Sequence, residues 1–260
     1  MQVISSKANE QIKHIKKLFQ KKYREEYSEF VIEGIKIVKE AIAEGRELKA
    51  IYINEQNKDE ILREIPEIGK MNVSIVERNV FSDISDVVNP QGITAIVKKE
   101  NSNSISYDEK LFLILDGISD PGNMGTIIRT ADSLNMKQII VSKNTLDIYN
   151  PKVVRSTMGA IFRVNVVYAE DLVKEIENLK SKGIKVYSTD LKTEKSIYSI
   201  DYERSAIVIG NESNGVSREV LDASTDRIKI PMNGKTESLN AAIATSIILY
   251  EANRALGLIK

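Results

Sequence analysis

Short apolar runs alternate with helix-like segments along the second half of the chain. The clearest run is Leu-Phe-Leu-Ile-Leu at 111–115, which is apolar at every position, as in strands buried on both faces. Further strands are predicted at 138–141, 162–167, 185–188, 206–209 and 227–230, with helices at about 125–134, 151–158, 170–181 and 216–222. This alternation predicts an α/β fold with a mostly parallel sheet covered by helices on both faces.

The first hundred residues predict a smaller α/β module. Strands are expected at 30–33, 48–53, 73–76 and 92–98, with helices at 35–44 and near 59–64. The polar, turn-prone residues 101–110 are expected to be a linker between this domain, 1–100, and a second domain, 111–260.

A basic helix is predicted within residues 5–24, which contain seven Lys or Arg and one Glu. Ile12, Ile15, Leu18 and Phe19 would form its apolar face. The candidate contacts to a nucleic-acid phosphate backbone are Lys13, Lys16, Lys17, Lys21, Lys22 and Arg24. A solvated face that keeps the protein soluble is the alternative interpretation.

Composition excludes several kinds of chemistry. Lys plus Arg and Asp plus Glu both number 37, so no global charge indicates a polyanionic partner. The absence of Cys excludes disulfides, thiolate zinc sites and cysteine nucleophiles, and a single histidine, His14, argues against a Ser-His-Asp triad. No metal is expected. Since no signal-like or membrane-spanning apolar run is present, a cytoplasmic location is expected.

Ligands of parallel α/β sheets bind beyond the carboxyl ends of the strands, so the loops after the predicted strands are the places to search. After 111–115 comes Pro121-Gly122, a turn signal, and Asn123, an expected helix N-cap. Arg129 lies about a turn and a half into that helix. An Arg beside exposed N-terminal amides predicts a pocket for a phosphate or another oxygen-rich group.

The loop after 206–209 contains Gly210 and Gly215, and Glu212 is its only charge. Glycines permit close approach of backbone or ligand, although a simple polar turn is an equally good explanation of this segment alone.

The last loop leads from a strand ending near Ile230 into a helix with Ser238 or Thr236 as its expected N-cap. Gly257 is the expected stop signal. The apolar face of that helix is predicted from spacing to consist of Leu239, Ala242, Ile243, Ile247 and Tyr250.

The Gly-Lys-Thr at 234–236 is similar to a nucleotide-hydrolase phosphate loop. Lys229 stands where that motif requires glycine, which excludes an ATPase or GTPase interpretation.

Three ordered motifs resemble those of the SpoU branch of the SPOUT methyltransferases. They are Asn-Met-Gly-Thr-Ile-Ile-Arg at 123–129, Ile-Gly-Asn-Glu at 209–212, and Ile-Pro-Met at 230–232 followed by Ser-Leu-Asn at 238–240. The first half, including 30–34 and the basic helix, resembles the RNA substrate-binding module fused to such enzymes, a domain similar to ribosomal-protein folds.

The resemblance implies a deep trefoil knot, a homodimer, and methyl transfer from S-adenosylmethionine to a ribose 2′-oxygen of RNA, with S-adenosylhomocysteine as product. The implied cofactor contacts are Gly210, Ile230, Met232, Ser238 and Leu239. The implied catalytic and substrate-orienting residues are Asn123, Arg129, Glu212, Ser238 and Asn240. Arg129 and Arg155 are further RNA-binding candidates, and Arg155 is equally well explained as an ordinary surface arginine.

The expected target is ribosomal RNA. A transfer-RNA ribose, an RNA base, or a non-catalytic RNA-binding scaffold are the alternatives. Because arginine does not deprotonate in proteins, Arg129 is expected to bind the target phosphate and polarise the hydroxyl, with Asn123 and Glu212 orienting it and the ribose.

Overall fold

The computed structural model describes residues 1–100 and 104–259. Backbone contacts divide them into two units. The first unit comprises 1–100 together with 149–162, and the second comprises 104–148 together with 163–259. The part of the predicted linker at 101–103 lies outside the described residues.

The strands are β1 (Gln2–Ile4), β2 (Glu29–Glu33), β3 (Leu48–Asn54), β4 (Val73–Val76), β5 (Ile93–Lys98), β6 (Leu111–Asp116), β7 (Gln138–Ser142), β8 (Asn165–Ala169), β9 (Lys185–Thr189), β10 (Ser205–Gly210) and β11 (Asp226–Ile228). The helices are α1 (Glu10–Leu18), α2 (Lys21–Tyr27), α3 (Ile35–Ala43), α4 (Lys58–Glu64), α5 (Arg78–Phe81), α6 (Pro121–Ser133), α7 (Pro151–Thr157), α8 (Leu172–Ser181), α9 (Arg218–Ala223) and α10 (Ala241–Ala255). None of the helices in these described ranges is long and apolar enough to cross a membrane.

The second unit is built on a six-stranded sheet in the order β11-β9-β10-β6-β7-β8, and every pairing is parallel. This confirms the predicted fold class. The two central strands are in register from Ser205 opposite Leu111 to Gly210 opposite Asp116. Both strands therefore end at the same level, and the loops that follow them begin side by side at one edge of the sheet.

One face of this sheet is covered by α8 and α9, whose buried side chains Ile176, Leu179 and Val220 pack with Phe112 and Ile114. Residues 104–110, within the predicted linker, contain neither helix nor strand. They are held by a hydrogen bond from the Tyr107 hydroxyl to Glu175 at 2.9 Å and one from the Ser106 amide to Gln138 at 3.0 Å.

The first unit has a mixed five-stranded sheet in the order β1-β4-β3-β5-β2. The strands β1, β4 and β3 are parallel, whereas β5 runs antiparallel to both of its neighbours. Ile12, Ile15 and Leu18 of α1 are fully buried against this sheet, as their spacing predicted.

The predicted basic helix is divided in two. Helix α1 ends at Leu18 and α2 begins at Lys21, where Gln20 adopts an extended conformation. Arg24 lies on the inner side of α2, only 2% exposed, and its guanidinium donates to the Leu18 carbonyl at 2.7 Å. It thereby satisfies a carbonyl left free at the end of α1.

The segment 149–162 belongs to the first unit although it lies between β7 and β8 in sequence. Val154 and Phe162 enter the core of that unit, and Tyr149 lies against Phe30 with ring centroids 4.6 Å apart. A strand was expected at 162–167, but β8 starts only at Asn165. Phe162 instead ends a short 3-10 turn because its ring packs into this core.

Candidate active site

Three loops extend from the carboxyl edge of the parallel sheet in the second unit. Residues 117–120 follow β6, 211–217 follow β10, and 229–240 lead from β11 into α10. Their polar side chains are far apart in sequence, yet hydrogen bonds join them.

The first loop ends in a helix start that differs from the expected one. Asp120 is the N-cap of α6, because its carboxylate accepts a hydrogen bond from the backbone N–H of Asn123 at 2.7 Å. Pro121 occupies the first helical turn. The prediction that Asn123 caps this helix was therefore wrong, because Asp120 and Pro121 start it earlier. Asn123 lies inside the first turn, 8% exposed, which frees its side-chain amide for other contacts.

The carboxylate of Glu212, in the second loop, is held by the first loop. One oxygen accepts from the Asn123 side chain at 2.8 Å and the Asp120 amide at 3.3 Å. The other accepts from the Ser119 amide at 3.3 Å and its hydroxyl at 3.1 Å. Partial burial raises the pKa of Glu212. The hydrogen-bond donors together lower it by more, with Asn123 contributing most, so the pKa lies below its ordinary value. Glu212 is therefore a fixed anion at neutral pH.

Asn240 connects the third loop to the same group. Its side-chain nitrogen donates to the Asn123 Oδ1 at 2.8 Å. Its own oxygen accepts from the backbone amides of Ala242 at 2.9 Å and Ile243 at 3.2 Å, so Asn240 is the N-cap of α10. The expected cap, Ser238 or Thr236, was wrong, since the helix begins only at Ala241. The result is a relay from Asn240 through Asn123 to Glu212 that spans all three loops.

Arg129 lies outside this relay. It is exposed on α6 and, within the described ranges, makes no hydrogen bond or ion pair. Gly125 and Gly122 lie four and seven residues before it, so these two positions place no side chain between the arginine and the helix N-terminus. An unpaired guanidinium near this edge is free to meet an anionic substrate.

Of the five residues predicted to contact the cofactor, Gly210 is the last residue of β10 and the other four lie in the third loop. A Cβ at Gly210 would come within 2.1 Å of the backbone at Gly215 and Val216, so this position requires glycine. Residues 231–240 are all exposed, and Met232 and Leu239 are each 36% exposed. Ile230 is partly exposed and Ser238 is exposed.

The backbone of the third loop is also free. Between 231 and 239, no N–H or C=O group makes a hydrogen bond to another described residue. A loop of unpaired donors and acceptors with two apolar side chains has the chemistry needed to hold a nucleoside.

Helix α10 differs from expectation in which side chains it buries. Ala242 is buried as expected, but Ile243, Ile247 and Tyr250 are 53%, 37% and 58% exposed. The buried face instead consists of Ala241, Ala242, Thr245, Ile248, Leu249, Ala252 and Asn253. The spacing of Leu239, Ile243, Ile247 and Tyr250 therefore does not mark the buried face, because this helix is apolar on two faces and periodicity alone does not rank them.

Several supporting residues were not identified from the sequence. The Ser142 hydroxyl, at the end of β7, accepts from the Gly117 amide at 2.8 Å, and the Asn211 side chain donates to the Gly117 carbonyl at 2.8 Å. Gly117 has a φ of 74°, a left-handed conformation that glycine adopts readily. The bend at Gly117 thus sets the path of the loop that holds Glu212. A glycine directly after a predicted strand was the feature of the sequence that could have indicated this bend.

The predicted RNA contacts lie in the first unit, apart from Arg129. Four of them form ion pairs. Lys13 pairs with Glu10 and Lys16 with Asp83, both at 2.7 Å. Lys21 pairs with Glu25 at 3.6 Å, and Arg155 with Asp86 at 2.7 Å. Within the described chain, Lys17 and Lys22 have no carboxylate within ion-pair distance. Arg24 is buried and so is not available to a phosphate.

Comparisons with known proteins agree with this geometry. Residues 110–250 match the SpoU rRNA Methylase family, and residues 9–95 match the MRM3-like substrate binding domain. The chain is 31% identical over 253 residues to the 23S rRNA (guanosine(2553)-2′-O)-methyltransferase RlmP of Bacillus subtilis, covering 96% of this chain and 98% of that protein.

Solved structures agree as well. The AdoMet-bound rRNA methyltransferase from Sinorhizobium meliloti has a TM-score of 0.86 at 32% identity, covering 100% of this chain and 99% of that one. The AdoMet complex of the SpoU methyltransferase AviRb from Streptomyces viridochromogenes has a TM-score of 0.84 at 25% identity, covering 97% and 100%.

The chain therefore belongs to the SpoU rRNA methylase family. The family predicted from its three motifs is confirmed, and with it the class of enzyme, an RNA methyltransferase.

Proposed function

We propose that this protein transfers a methyl group from S-adenosylmethionine to a ribose 2′-oxygen of ribosomal RNA. The observation that carries this proposal is the relay from Asn240 through Asn123 to Glu212, because it ties together the three segments of the chain that contain the family's motifs. The relatives named above, which include a 23S rRNA 2′-O-methyltransferase, support the choice of acceptor.

The residues present fit the cofactor. S-adenosylmethionine, when bound, supplies a methyl group already activated by its sulfonium. Gly210 lets residues 215 and 216 pack directly against it and so shapes the second loop, and Met232 and Leu239 would cover apolar parts of the molecule. The unpaired backbone groups at 231–239 would bind its polar edges, with Ile230 and Ser238 at the two ends of the same loop.

The protein's own contribution is to position the acceptor. Holding two reactants in line can lower a barrier by about 7–11 kcal/mol. Glu212 and Asn123 are fixed by short hydrogen bonds and would orient the ribose, while Ser238 lies in the loop beside Asn240. Arg129, always protonated, would bind the phosphate of the target nucleotide and polarise its hydroxyl.

Residues 1–100 are proposed to be the RNA substrate-binding domain, residues 101–110 the linker, and residues 111–260 the methyltransferase domain. The match of 9–95 to a substrate binding domain supports this division. The exposed lysines of α1 and α2 would contact the RNA backbone, whereas Arg24 is left out of this surface because it is buried. The deep knot and the cytoplasmic location stay predictions.

A homodimer is proposed to form through the exposed apolar residues of α10. Ile243, Ile247 and Tyr250 lie three or four residues apart on one side of this helix, and Leu239 immediately precedes it. Such a stripe is costly to leave in water. Light scattering should give a dimer for the natural protein and a monomer for Ile247→Glu. A natural protein that is monomeric at working concentration would contradict the proposal.

The function is tested by incubating the purified protein with labelled S-adenosylmethionine and ribosomal RNA from a strain that lacks it. Mass spectrometry of digested RNA should locate the methyl group on a ribose. A methylated base, or label found only in transfer RNA, would favour the corresponding alternative. A protein that binds no S-adenosylmethionine would be an RNA-binding scaffold.

A further inference from the structure

Two tyrosines form an exposed aromatic surface on the first unit. Tyr23 and Tyr27 are four residues apart on α2, so they lie on the same side of the helix. Their rings are nearly parallel, with an interplanar angle of 14° and centroids 6.3 Å apart. Tyr27 is 36% exposed and Tyr23 partly so. Ser28 ends the helix directly after Tyr27 in a left-handed conformation, φ 53°.

Histidine supports one end of this pair. The His14 ring meets the Tyr27 ring edge-on, with centroids 4.7 Å apart. His14 is itself fixed by Glu29, whose carboxylate lies 2.7 Å from Nε2. Glu29 is thereby occupied, and Tyr27 is held in place without being covered.

The charges beside Tyr23 are cationic. The ammonium groups of Lys17 and Lys22 lie 5.7 Å and 5.6 Å from its ring centroid. Among the described residues, neither lysine has a carboxylate within ion-pair distance, although Lys17 still acts on Glu10 at longer range. Two lysine ammonium groups therefore lie beside the ring of Tyr23.

Aromatic rings flanked by unpaired lysines match the chemistry of an unpaired nucleotide. A base stacks on an exposed ring whatever its sequence, and lysine binds the neighbouring phosphate. In duplex RNA the base faces are stacked on one another and are not available to a tyrosine. A partner protein with an acidic surface would use the lysines and have no need of parallel rings.

We propose that Tyr23 and Tyr27, with Lys17 and Lys22, bind a single-stranded segment of the RNA substrate by base stacking. The proposal rests on the proposed function in that it takes RNA as the substrate, and it specifies the part of the RNA that the first unit recognises. Tyr23 and Tyr27 thus act in binding the RNA substrate and not in the methyl-transfer step.

The test uses the full chain, which contains no Trp. Tyr27→Trp introduces a single reporter at the surface, and Tyr198→Trp introduces one at an exposed tyrosine of the second unit. A short single-stranded RNA of mixed sequence should quench Tyr27→Trp much more than Tyr198→Trp. The same strand annealed to its complement should quench neither. Equal quenching by the duplex, or equal quenching of both reporters, would overturn the proposal.

Binding constants complete the test. Tyr23→Ala with Tyr27→Ala should weaken single-strand binding about 5- to 100-fold, while the matched pair of Tyr→Phe changes should bind like the natural protein. Lys17→Ala with Lys22→Ala should weaken binding to single strand and duplex alike. An unchanged affinity in the alanine pair sinks the proposal. Methyl transfer to full ribosomal RNA is measured in parallel, and its absence in the natural protein would refute the proposed function separately.

Discussion

The two units of this chain bring functional side chains together in different ways. In the second unit all strands are parallel, so their carboxyl ends share one edge, and Asn123, Glu212 and Asn240 meet there although they are far apart in sequence. In the first unit the sheet is mixed. Its candidate surface comes from neighbours in sequence, Tyr23 and Tyr27, one helical turn apart. A parallel sheet supports chemistry that needs distant groups, whereas a helix face suffices for recognition.

The largest expected effect tests whether this edge carries the chemistry. Arg129→Lys keeps the charge but loses the planar, bidentate guanidinium, so kcat should fall on the order of 100-fold, as when a group that stabilises transition-state charge is removed. The melting temperature should not change, because Arg129 is exposed and unpaired among the described residues. Arg218→Lys, on a side chain 92% exposed in the same unit, is the control. A fully active Arg129→Lys enzyme would refute this role.

The second-largest expected effect concerns the relay. Asn123→Ala removes two side-chain hydrogen bonds, one to Glu212 and one from Asn240, each worth about 0.5–1.5 kcal/mol, so the free energy of unfolding should fall by about 1–3 kcal/mol. We expect kcat to fall at least about tenfold, since two loops lose their common anchor. Asn178→Ala, at an exposed position of α8, should change neither quantity. Wild-type turnover with normal stability would mean that the relay is dispensable.

Gly210→Ala tests the close packing at the same edge. The added methyl would collide with the backbone of Gly215 and Val216, and overpacking of this kind costs about 1–3 kcal/mol. The affinity for S-adenosylmethionine, followed by calorimetry, should fall as the loop shifts. Gly69→Ala adds the same methyl in the first unit, where nothing lies within 4 Å, and should be neutral. If both variants behave alike, the packing at Gly210 does not constrain the cofactor loop.

The smallest expected effect separates two carboxylates whose pKa values are both lowered. Lys16 and then Lys7 lower the pKa of Asp83 in the first unit, by charged hydrogen bonds, whereas the pKa of Glu212 is lowered by neutral donors that outweigh its burial. Either group stabilises the fold above its unfolded pKa of about 4, and this contribution is lost as the pH falls through the lowered folded value.

Salt should therefore move the Asp83 pKa toward its ordinary value and leave that of Glu212 in place, because ions screen charges more than dipoles. Carboxyl NMR titrations at low and high salt measure both. If salt shifted both pKa values equally, the pKa of Glu212 would depend on a nearby positive charge and not on its neutral hydrogen-bond donors.

The sequence predicted the parallel sheet well because strands such as 111–115, buried on both faces, are apolar at every position. Through motifs it predicted site residues that include Asn123, Glu212 and Asn240, which hydrogen bonds join in the structure. What it missed depends on competition between adjacent candidates: Asp120 caps α6 in place of Asn123, and Asn240 caps α10 in place of Ser238. It also missed long-range supports such as Ser142, whose role depends on which strand lies beside β6. Tyr23 and Tyr27 belong to no motif and became visible only as parallel rings.

The relay of side-chain amides also has a direction. Because the Glu212 carboxylate can only accept, Asn123 must present its nitrogen to it and its oxygen to Asn240, which then turns its own oxygen toward the first amides of α10. The negative charge of Glu212 thus orients the side-chain amides of Asn123 and Asn240, and the oxygen of Asn240 then faces the positive N-terminal end of α10. Asn240→Asp would keep the oxygen that caps α10 but would place a second acceptor oxygen against the Asn123 Oδ1. The hydrogen bond that links the start of α10 to Asn123 and Glu212 would then be lost.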